Sequence, residues 1–287
     1  VMPLIFLAAI YNSSKNAIGR PEVTFIRISL LLVLKIFFNS IFLYIFRMGL
    51  IGAVIATFCS YVVITIWMFH DVFVKTSETK LDLRTYSMKL PIIMRITRIG
   101  FPAMVNYMLI YFGFFLINKE MEKYGAIALT GQGIAANINS LCFNLPSSIG
   151  TAVTTMISIN MGLKNIKKSK KIFTYSWITS VVIAALTIIL IVPLNHDMIA
   201  LFTRNKEIAA IADNALNIFT YSIIGFGIFT VCQGVYVALG KNNIPLIMSI
   251  LRIWLFRYAF ILLTQKFLGL YSIFWGNLFS NTVAGIL

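Results

Sequence analysis

The stretch NSLCFNLPSSIG, residues 139–150, places polar side chains and a proline inside a long apolar segment. A helix surrounded by lipid must satisfy its backbone polar groups internally, because hydrocarbon offers no hydrogen-bond partner. Pro146 lacks a backbone donor and frees a carbonyl about four residues earlier. Such a break is tolerated where cavity water or a neighbouring helix binds the freed group. The stretch therefore predicts a membrane helix that is kinked at Pro146 and has one wet face.

Polar side chains continue from this stretch in both directions at steps of three and four residues. At 100° per residue they fall within an arc of about 120° on one helix face. This polar stripe consists of Asn137, Ser140, Asn144, Ser147, Ser148, Thr151, Thr154, Thr155 and Ser158. The opposite face carries Ile138, Phe143, Leu145, Ile149, Val153 and Ile157 and is suited to lipid or to packing.

Two interpretations of the stripe are open. Its serines and threonines could donate to their own backbone or allow close helix packing. Asn137 and Asn144 fit that alternative poorly, because an amide that faces lipid leaves its donors unpaired. A water-lined cavity would satisfy the whole stripe, so we predict that it faces one.

The rest of the chain is typical of a multi-pass membrane protein. Of its 287 residues, 59% are hydrophobic and 11% are charged, whereas soluble domains carry about 25% charged residues. A membrane span needs about 20 helical residues. Nine apolar segments are present, at residues 1–14, 23–46, 49–74, 98–118, 127–162, 172–195, 208–239, 244–264 and 267–287. We expect the first and last to be truncated spans of a longer protein.

The chain has a net charge of +15, and its Lys and Arg residues are divided unequally between the connections on the two sides of the membrane. The connections after the first, third, fifth and seventh segments carry 14 Lys and Arg residues, and the alternate connections carry 6. This asymmetry is the positive-inside pattern, which predicts that the richer side is cytoplasmic. The run KNIKKSKK (164–171) is then a topogenic loop near anionic lipid. Without interleaved aromatic residues, it does not indicate a nucleic-acid partner.

Two parts of the chain resemble each other. KNAIGRPEVTFIRISLL (15–31) aligns with YVALGKNNIPLIMSILR (236–252), and each leads through one further segment to a second glycine. The glycines are 30 residues apart in the first copy and 29 in the second. A chance match of short glycine-containing loops is the alternative. Both copies begin on the cytoplasmic side, so we predict parallel repeats related by an axis along the membrane normal.

Charged residues inside the segments are few. All nine carboxylates lie in connections or near segment ends, and Asp213 is the nearest candidate for a coupling acid. Arg27 and Arg252 are predicted to snorkel to the cytoplasmic surface. Lys35 and Arg257 lie deeper, at nearly matching places in the repeats, and would bond carbonyls of a neighbouring span or line a central cavity. No metal-ligand spacing, catalytic motif or cofactor-binding motif is present, so we predict no enzyme, no cofactor and no metal site.

The order of several motifs resembles the multidrug and toxic compound extrusion (MATE) family. Gly100 and Pro102, YGAIALTGQGIAANI (124–138), Pro146 and the Asn160–Gly162 exit look like helices seven and eight of that family. ALGK (238–241), LRIWLFRYAFILL (251–263) and GLYSIFW (269–275) are similar to helices ten to twelve. AIGRP (17–21), FFNSIF (37–42) and GLIGAVIAT (49–57) resemble the end of helix four through helix six.

The resemblance implies an all-α fold of two six-helix lobes related by a pseudo-two-fold axis along the membrane normal, the N-terminal lobe being incomplete. Residues 1–74 would end that lobe, residues 75–97 would form a cytoplasmic inter-lobe loop, and residues 98–287 would form the C-terminal lobe. It implies a monomeric transporter of the bacterial inner membrane that exports small drug-like or cationic compounds in exchange for H⁺ or Na⁺. The central cavity would be lined by Asn137, Asn144, Ser148, Thr151, Thr155, Tyr107, Tyr111, Lys35 and Arg257.

Three points qualify the resemblance. Some family branches carry a glutamate in the seventh helix, and VNYMLIYFGFF (105–115) has none, so we expect the coupling carboxylate in an N-terminal region outside this chain. A lipid-linked oligosaccharide flippase of the same superfamily is an alternative, but it predicts a cavity rich in cations. A membrane scaffold without transport is a further alternative, and it predicts that the polar stripe packs dry against another helix.

Overall fold

The computed structural model describes residues 1–75 and 90–287, which form two units, Val1–Lys89 and Leu90–Leu287. In the first unit, α1 (Met2–Ala17) is followed by α2 (Pro21–Asn39), which continues as a π-helical turn at Ser40–Ile45. Helix α3 (Gly49–His70) continues in the same way at Asp71–Lys75. The Lys15 ammonium and the Tyr11 hydroxyl both contact the Asp71 carboxylate at 2.7 Å and fasten the end of α1 to that of α3.

The second unit is also helical throughout its described residues. Its elements are α4 (Leu90–Glu122), α5 (Ala126–Gly162), α6 (Ile166–Ala200), α7 (Lys206–Tyr221), α8 (Ile223–Ala238), α9 (Asn243–Ile250), a π-helical segment (Leu251–Ala259), α10 (Phe260–Leu268) and α11 (Tyr271–Ile286). Helices α7 and α8 form one bent rod with an angle of 44° at the break.

Each of the nine predicted apolar segments coincides with one described helix or with helices joined end to end. The helices extend beyond the apolar segments, since α4 begins at Leu90 and α6 at Ile166. Polar and basic residues can continue a helix into water, where free backbone groups are hydrated. The predicted loop of residues 75–97 is therefore helical from Leu90 onward, and its residues 76–89, with the cations Lys80, Arg84 and Lys89, lie outside the described part.

The turns of the internal repeat have the same local structure. Gly19 and Gly240 have φ of +77° and +72°, and Gly49 and Gly269 have φ of +56° and +52°. The residue after each first glycine donates its N–H five residues back, Arg20 to Lys15 O at 3.0 Å and Lys241 to Tyr236 O at 2.9 Å. This is the Schellman helix end, in which glycine avoids the steric cost of positive φ. The backbone supports the repeat in these turns.

Five described helical stretches are long and apolar enough to cross a membrane, and the bent α7–α8 rod is a sixth. They are Pro21–Ile45, Gly49–Phe73, Leu90–Glu122, Ile166–Ala200 and Asn243–Leu268. Helix α5 is not among them although it is 37 residues long, because its polar stripe lowers its hydropathy.

Helix α5 is the hub of the second unit and packs on α6, α7 and α8. Two crossings hold α8 in place through glycines. A Cβ added at Gly234 would lie 2.5 Å from Gly150 O of α5, and one at Gly285 of α11 would lie 2.6 Å from Gly225 O. Small residues allow this close approach of helix backbones. The Gly150–Gly234 crossing fixes which face of α5 is turned towards α8.

Candidate functional site

The polar stripe of α5 lies on the open side of the helix. Seven of its nine side chains are exposed, and Thr154 and Thr155 are half-buried. On the opposite face Ile138 and Val153 are 1% exposed and Ile157 is 3% exposed. The predicted division of α5 into a polar open face and a packed apolar face therefore matches these positions.

Five of the seven hydroxyl groups of the stripe donate to their own helix. Ser148 Oγ donates to Asn144 O at 2.8 Å, Thr151 Oγ1 to Ser147 O at 3.1 Å, and Thr155 Oγ1 to Thr151 O at 3.3 Å. These are the i−4 bonds of the alternative interpretation of the stripe. Because the protons are engaged, the hydroxyl oxygens offer lone pairs outward and act as acceptors.

The two asparagine side chains of the stripe differ from the hydroxyls. The amides of Asn137 and Asn144 are exposed and make no side-chain hydrogen bond to any described residue. Each amide has a carbonyl acceptor and two donors available for water or a ligand. The free hydrogen-bonding capacity of the stripe is concentrated at these positions.

Pro146 points away from the stripe. It is buried within the helical run of α5, and Thr230 Oγ1 of α8 donates to its carbonyl at 3.2 Å. A Cβ at Gly227 of α8 would lie 3.5 Å from Pro146 Cβ. Pro146 thus packs α5 on α8, and the predicted kink stays a prediction.

The outward face of α4 is aromatic. Tyr107, Tyr111 and Phe115, spaced by four residues, are 62%, 71% and 60% exposed. Near the α4–α5 turn this face borders a cavity of about 650 Å³, which also contacts Asn137 at the start of the polar stripe. We call it the turn pocket. Its lining is Phe115, Asn118, Lys119 and Glu122 of α4 with Leu129, Gln132, Gly133, Ala136 and Asn137 of α5.

Sequence reasoning missed Gln132. Its side chain is 7% exposed, lines the turn pocket, and its Oε1 has no hydrogen-bond partner. Gln132 lies outside the arc of the polar stripe, so the periodicity that revealed the stripe could not select it. The signal in the sequence was the Gln132 amide itself, which stands among mostly apolar residues before Asn137.

The two deep cations occupy different units. Lys35 is half-buried in the first unit, with its Nζ 5.4 Å from the centre of the Tyr61 ring. Arg257 is 7% exposed in the second unit, with its guanidinium carbon 5.3 Å from the centre of the Phe114 ring. Their assignment to a central cavity stays a prediction.

The snorkelling prediction for Arg27 and Arg252 is wrong, because both side chains are buried, at 5% and 9% exposure. Arg252 Nη1 donates to Asn281 Oδ1 at 2.9 Å, and its guanidinium carbon lies 4.9 Å from the Phe229 ring centre. An amide acceptor and aromatic faces within the unit take the place of the lipid headgroups.

The candidate coupling acid Asp213 belongs to a polar chain between α6 and α7. Asn217 Nδ2 donates to Asp213 Oδ2 at 3.4 Å, and Asn195 Nδ2 donates to Asn217 Oδ1 at 2.6 Å. Asp213 is half-buried. Within residues 1–75 and 90–287, no group of His, Cys, Asp and Glu is arranged to hold a metal ion.

Comparison with known proteins gives a consistent family. The MatE family model matches residues 102–263. The multidrug export protein MepA of Staphylococcus saprophyticus is 23% identical over 285 residues, which are 99% of this chain and 62% of that protein. MepA of Staphylococcus aureus is also 23% identical with the same coverage. The chain thus spans about 62% of the length of these relatives.

Solved structures show the same fold. An outward-facing multidrug resistance MATE family transporter matches with a TM-score of 0.91 at 22% identity over 99% of this chain and 64% of that chain. A MOP superfamily transporter from Pyrococcus furiosus matches with a TM-score of 0.92 at 22% identity and the same coverage. The Vibrio cholerae MATE transporter VcmN in its bent form matches with 0.85 at 21% identity over 97% and 63%. These matches confirm the predicted all-α membrane fold class.

Proposed function

This chain belongs to the MatE family, and on that premise we propose that the full-length protein exports drug-like organic cations across a bacterial cell membrane. The observation that carries the proposal is the exposed amide and hydroxyl stripe on α5, a helix whose other face is packed. An exporter needs a wet, weakly specific surface along its path, and the stripe supplies one. The curated relatives are named as multidrug export proteins.

The chemistry of the stripe favours cations. Its hydroxyl protons are bonded inside the helix, so the oxygens of Ser148, Thr151 and Thr155 present lone pairs outward. Tyr107 and Tyr111 on α4 expose aromatic faces, which attract ammonium groups. Acceptors and aromatic rings together suit an organic cation better than an anion.

The same chemistry disfavours the alternatives. A flippase that handles a lipid-linked pyrophosphate should present cations, but the polar stripe has none and Arg257 is buried. A scaffold should bury the stripe against another helix, whereas seven of its nine side chains are exposed. Export is the function that the described residues favour.

The test is ethidium accumulation in a bacterial strain that lacks its major efflux pumps. We expect the full-length protein to lower accumulation and Asn144→Leu to restore much of it, because a free amide is replaced by an apolar group. Leu141→Met, at an exposed apolar position of the same helix, should keep export. Equal accumulation with and without the protein, across several organic cations, contradicts the proposal.

We also propose antiport with H⁺ or Na⁺ through alternating access. Two treatments of the same cells separate the ions. Export that stops when sodium is removed but survives a protonophore at constant sodium identifies Na⁺, and the reverse pattern identifies H⁺. Export that survives both treatments together contradicts coupling to either ion.

A further inference from the structure

Two arginine side chains are buried on one segment of the second unit. Arg252 and Arg257 belong to the π-helical segment Leu251–Ala259 and are 9% and 7% exposed. In an α-helix, residues five apart point about 140° away from each other. In a π-helix the hydrogen bonds join residues five apart, so such residues lie one turn above each other. The π-helical geometry therefore brings both guanidinium groups to one side of the segment.

These two positive charges have no negative partner in the described part of the chain. Neither Arg252 nor Arg257 forms an ion pair with a described residue. Glu120, a buried carboxylate of the same unit, is paired with Lys123 at 2.6 Å instead. A guanidinium stays protonated in proteins, and a buried charge without a counter-charge is strongly destabilising. Two like charges on one side of a helix also repel each other.

The groups around the arginines supply partial charges only. Arg252 Nη1 donates to Asn281 Oδ1 at 2.9 Å, and its guanidinium carbon lies 4.9 Å from the centre of the Phe229 ring. The guanidinium carbon of Arg257 lies 5.3 Å from the centre of the Phe114 ring, and the side chain makes no hydrogen bond to a described residue. An amide and aromatic faces attract a cation, but they leave both positive charges uncompensated.

Free donors of both arginines border a small space. The two Nε atoms are enclosed and have no hydrogen-bond partner. Arg252 Nη2 and both Nη atoms of Arg257 also lack a hydrogen bond to a described residue, but they are not fully enclosed. Because the two side chains keep only 9% and 7% exposure, the space beside them suits an ion better than an organic molecule.

We propose that Arg252 and Arg257 form a binding site for chloride. A monovalent inorganic anion accepts the free N–H donors, supplies the missing negative charge, and loses less hydration on burial than phosphate or sulfate. The same segment holds α4, since Trp254 Nε1 donates to Leu109 O at 3.2 Å. The anion therefore stabilises the packing of the segment on α4, α8 and α11. This site is separate from the polar stripe, and its existence does not depend on the proposed export.

The experiment is thermal unfolding of the purified full-length protein in detergent, followed by tryptophan fluorescence. Sodium gluconate is replaced stepwise by sodium chloride at constant sodium concentration and ionic strength. We expect the melting temperature to rise by about 2–4 °C along a saturable curve, as for a ligand that binds the folded state, and bromide to act like chloride. An unchanged melting temperature means that another group of the full-length protein neutralises the arginines, and it overturns the proposal.

Variants of Arg257 test whether the response belongs to this site. Arg257→Gln should remove the dependence of the melting temperature on chloride, and Arg257→Lys, which keeps the charge, should restore part of it. Arg204→Gln removes an exposed cation from the α6–α7 connection and should keep the full response. If Arg257→Gln responds to chloride as Arg204→Gln does, the anion binds elsewhere and the proposal is wrong.

A carboxylate placed beside the arginines gives a test that keeps both of them. Asn277 Oδ1 accepts from Asn281 Nδ2, whose Oδ1 binds Arg252, and Asn277 Nδ2 makes no hydrogen bond to a described residue. Asn277→Asp therefore loses no hydrogen bond and supplies a negative charge. It should raise the melting temperature without chloride and weaken the chloride response, whereas Asn214→Asp, exposed on α7, should do neither. An unchanged chloride response in Asn277→Asp overturns the proposal.

Bromide locates the anion directly. Crystals of the full-length protein grown in sodium bromide should show an anomalous difference peak in contact with the guanidinium groups of Arg252 and Arg257. The peak should be absent from crystals of Asn277→Asp, because the carboxylate takes the place of the ion. Bromide peaks confined to the protein surface contradict the site even where chloride raises the melting temperature.

Discussion

The α5–α8 crossing should be sensitive to a single methyl group at Gly234. A Cβ there would lie 2.5 Å from Gly150 O and 3.0 Å from Thr154 Oγ1, which itself donates to Gly234 O at 3.0 Å. Ordinary carbon contacts are about 3.5 Å or longer, so Gly234→Ala must separate the two helices locally by roughly 1 Å. The obstructing atom belongs to the backbone and cannot move aside by a change of rotamer.

The expected magnitude follows from two opposing terms. Overpacking costs about 1–3 kcal/mol, whereas replacing glycine by alanine inside a helix gains about 0.5–1 kcal/mol. The net effect of Gly234→Ala is therefore a loss of about 0–2.5 kcal/mol, with a central value of about 1 kcal/mol. Gly133→Ala is the matched control on α5: its Cβ would have no atom within 4 Å, so only the favourable helix term applies.

The assay is thermal unfolding of the full-length protein in detergent, followed by tryptophan fluorescence. We expect Gly234→Ala to lower the melting temperature by about 2 °C and Gly133→Ala to raise it slightly. Gly234→Ala should also weaken ethidium export, because separating the helices disturbs the orientation of the polar stripe. If both variants shift the melting temperature in the same direction, the close crossing does not limit stability and the reasoning is refuted.

Two further predictions test the orientation of α5 and the buried arginine. In a background without native cysteines, Asn144→Cys and Thr151→Cys of the full-length protein should react with a water-soluble methanethiosulfonate, whereas Val153→Cys, at a position 1% exposed, should not; equal protection contradicts a wet face. Asn281→Leu removes the acceptor of the buried Arg252, together with the donor to Ser222 Oγ and Asn277 Oδ1, and should lower the free energy of unfolding by at least about 1.5–3 kcal/mol, measured by thermal unfolding. Ser280→Ala, which removes a hydroxyl bonded within its own helix to Asn277 O, should cost less, and equal losses refute a specific role for the Asn281 side chain.

Local pattern predicts the helices and the two faces of α5, because apolar length and helical periodicity depend on neighbouring residues only. Contacts between distant segments do not follow from pattern. The sequence predicts that Arg252 snorkels to lipid headgroups, because its hydrogen-bond acceptor, Asn281, is 29 residues away and is identified only by the structure. Gln132 is found only when α4 and α5 are placed side by side. The repeat lies between these cases, since its glycine turns are local and their matching helix ends are recognisable from spacing.

Helix α5, which carries the polar stripe, is among the helices that a test of length and hydropathy does not select as membrane spans. Helix α5 fails that test because of the same amides and hydroxyls that form its open face. In lipid those amides would leave donors unpaired, so we expect water or another polar partner on that side. The packed side of α5 lies close to α8: Gly150 contacts Gly234, and Thr154 Oγ1 donates to Gly234 O. A turn of α5 by one residue, about 100°, would move polar groups into this crossing and apolar ones to the open face. The glycine crossing therefore makes the polar stripe a fixed surface, on which a weakly specific site can be maintained without a carboxylate.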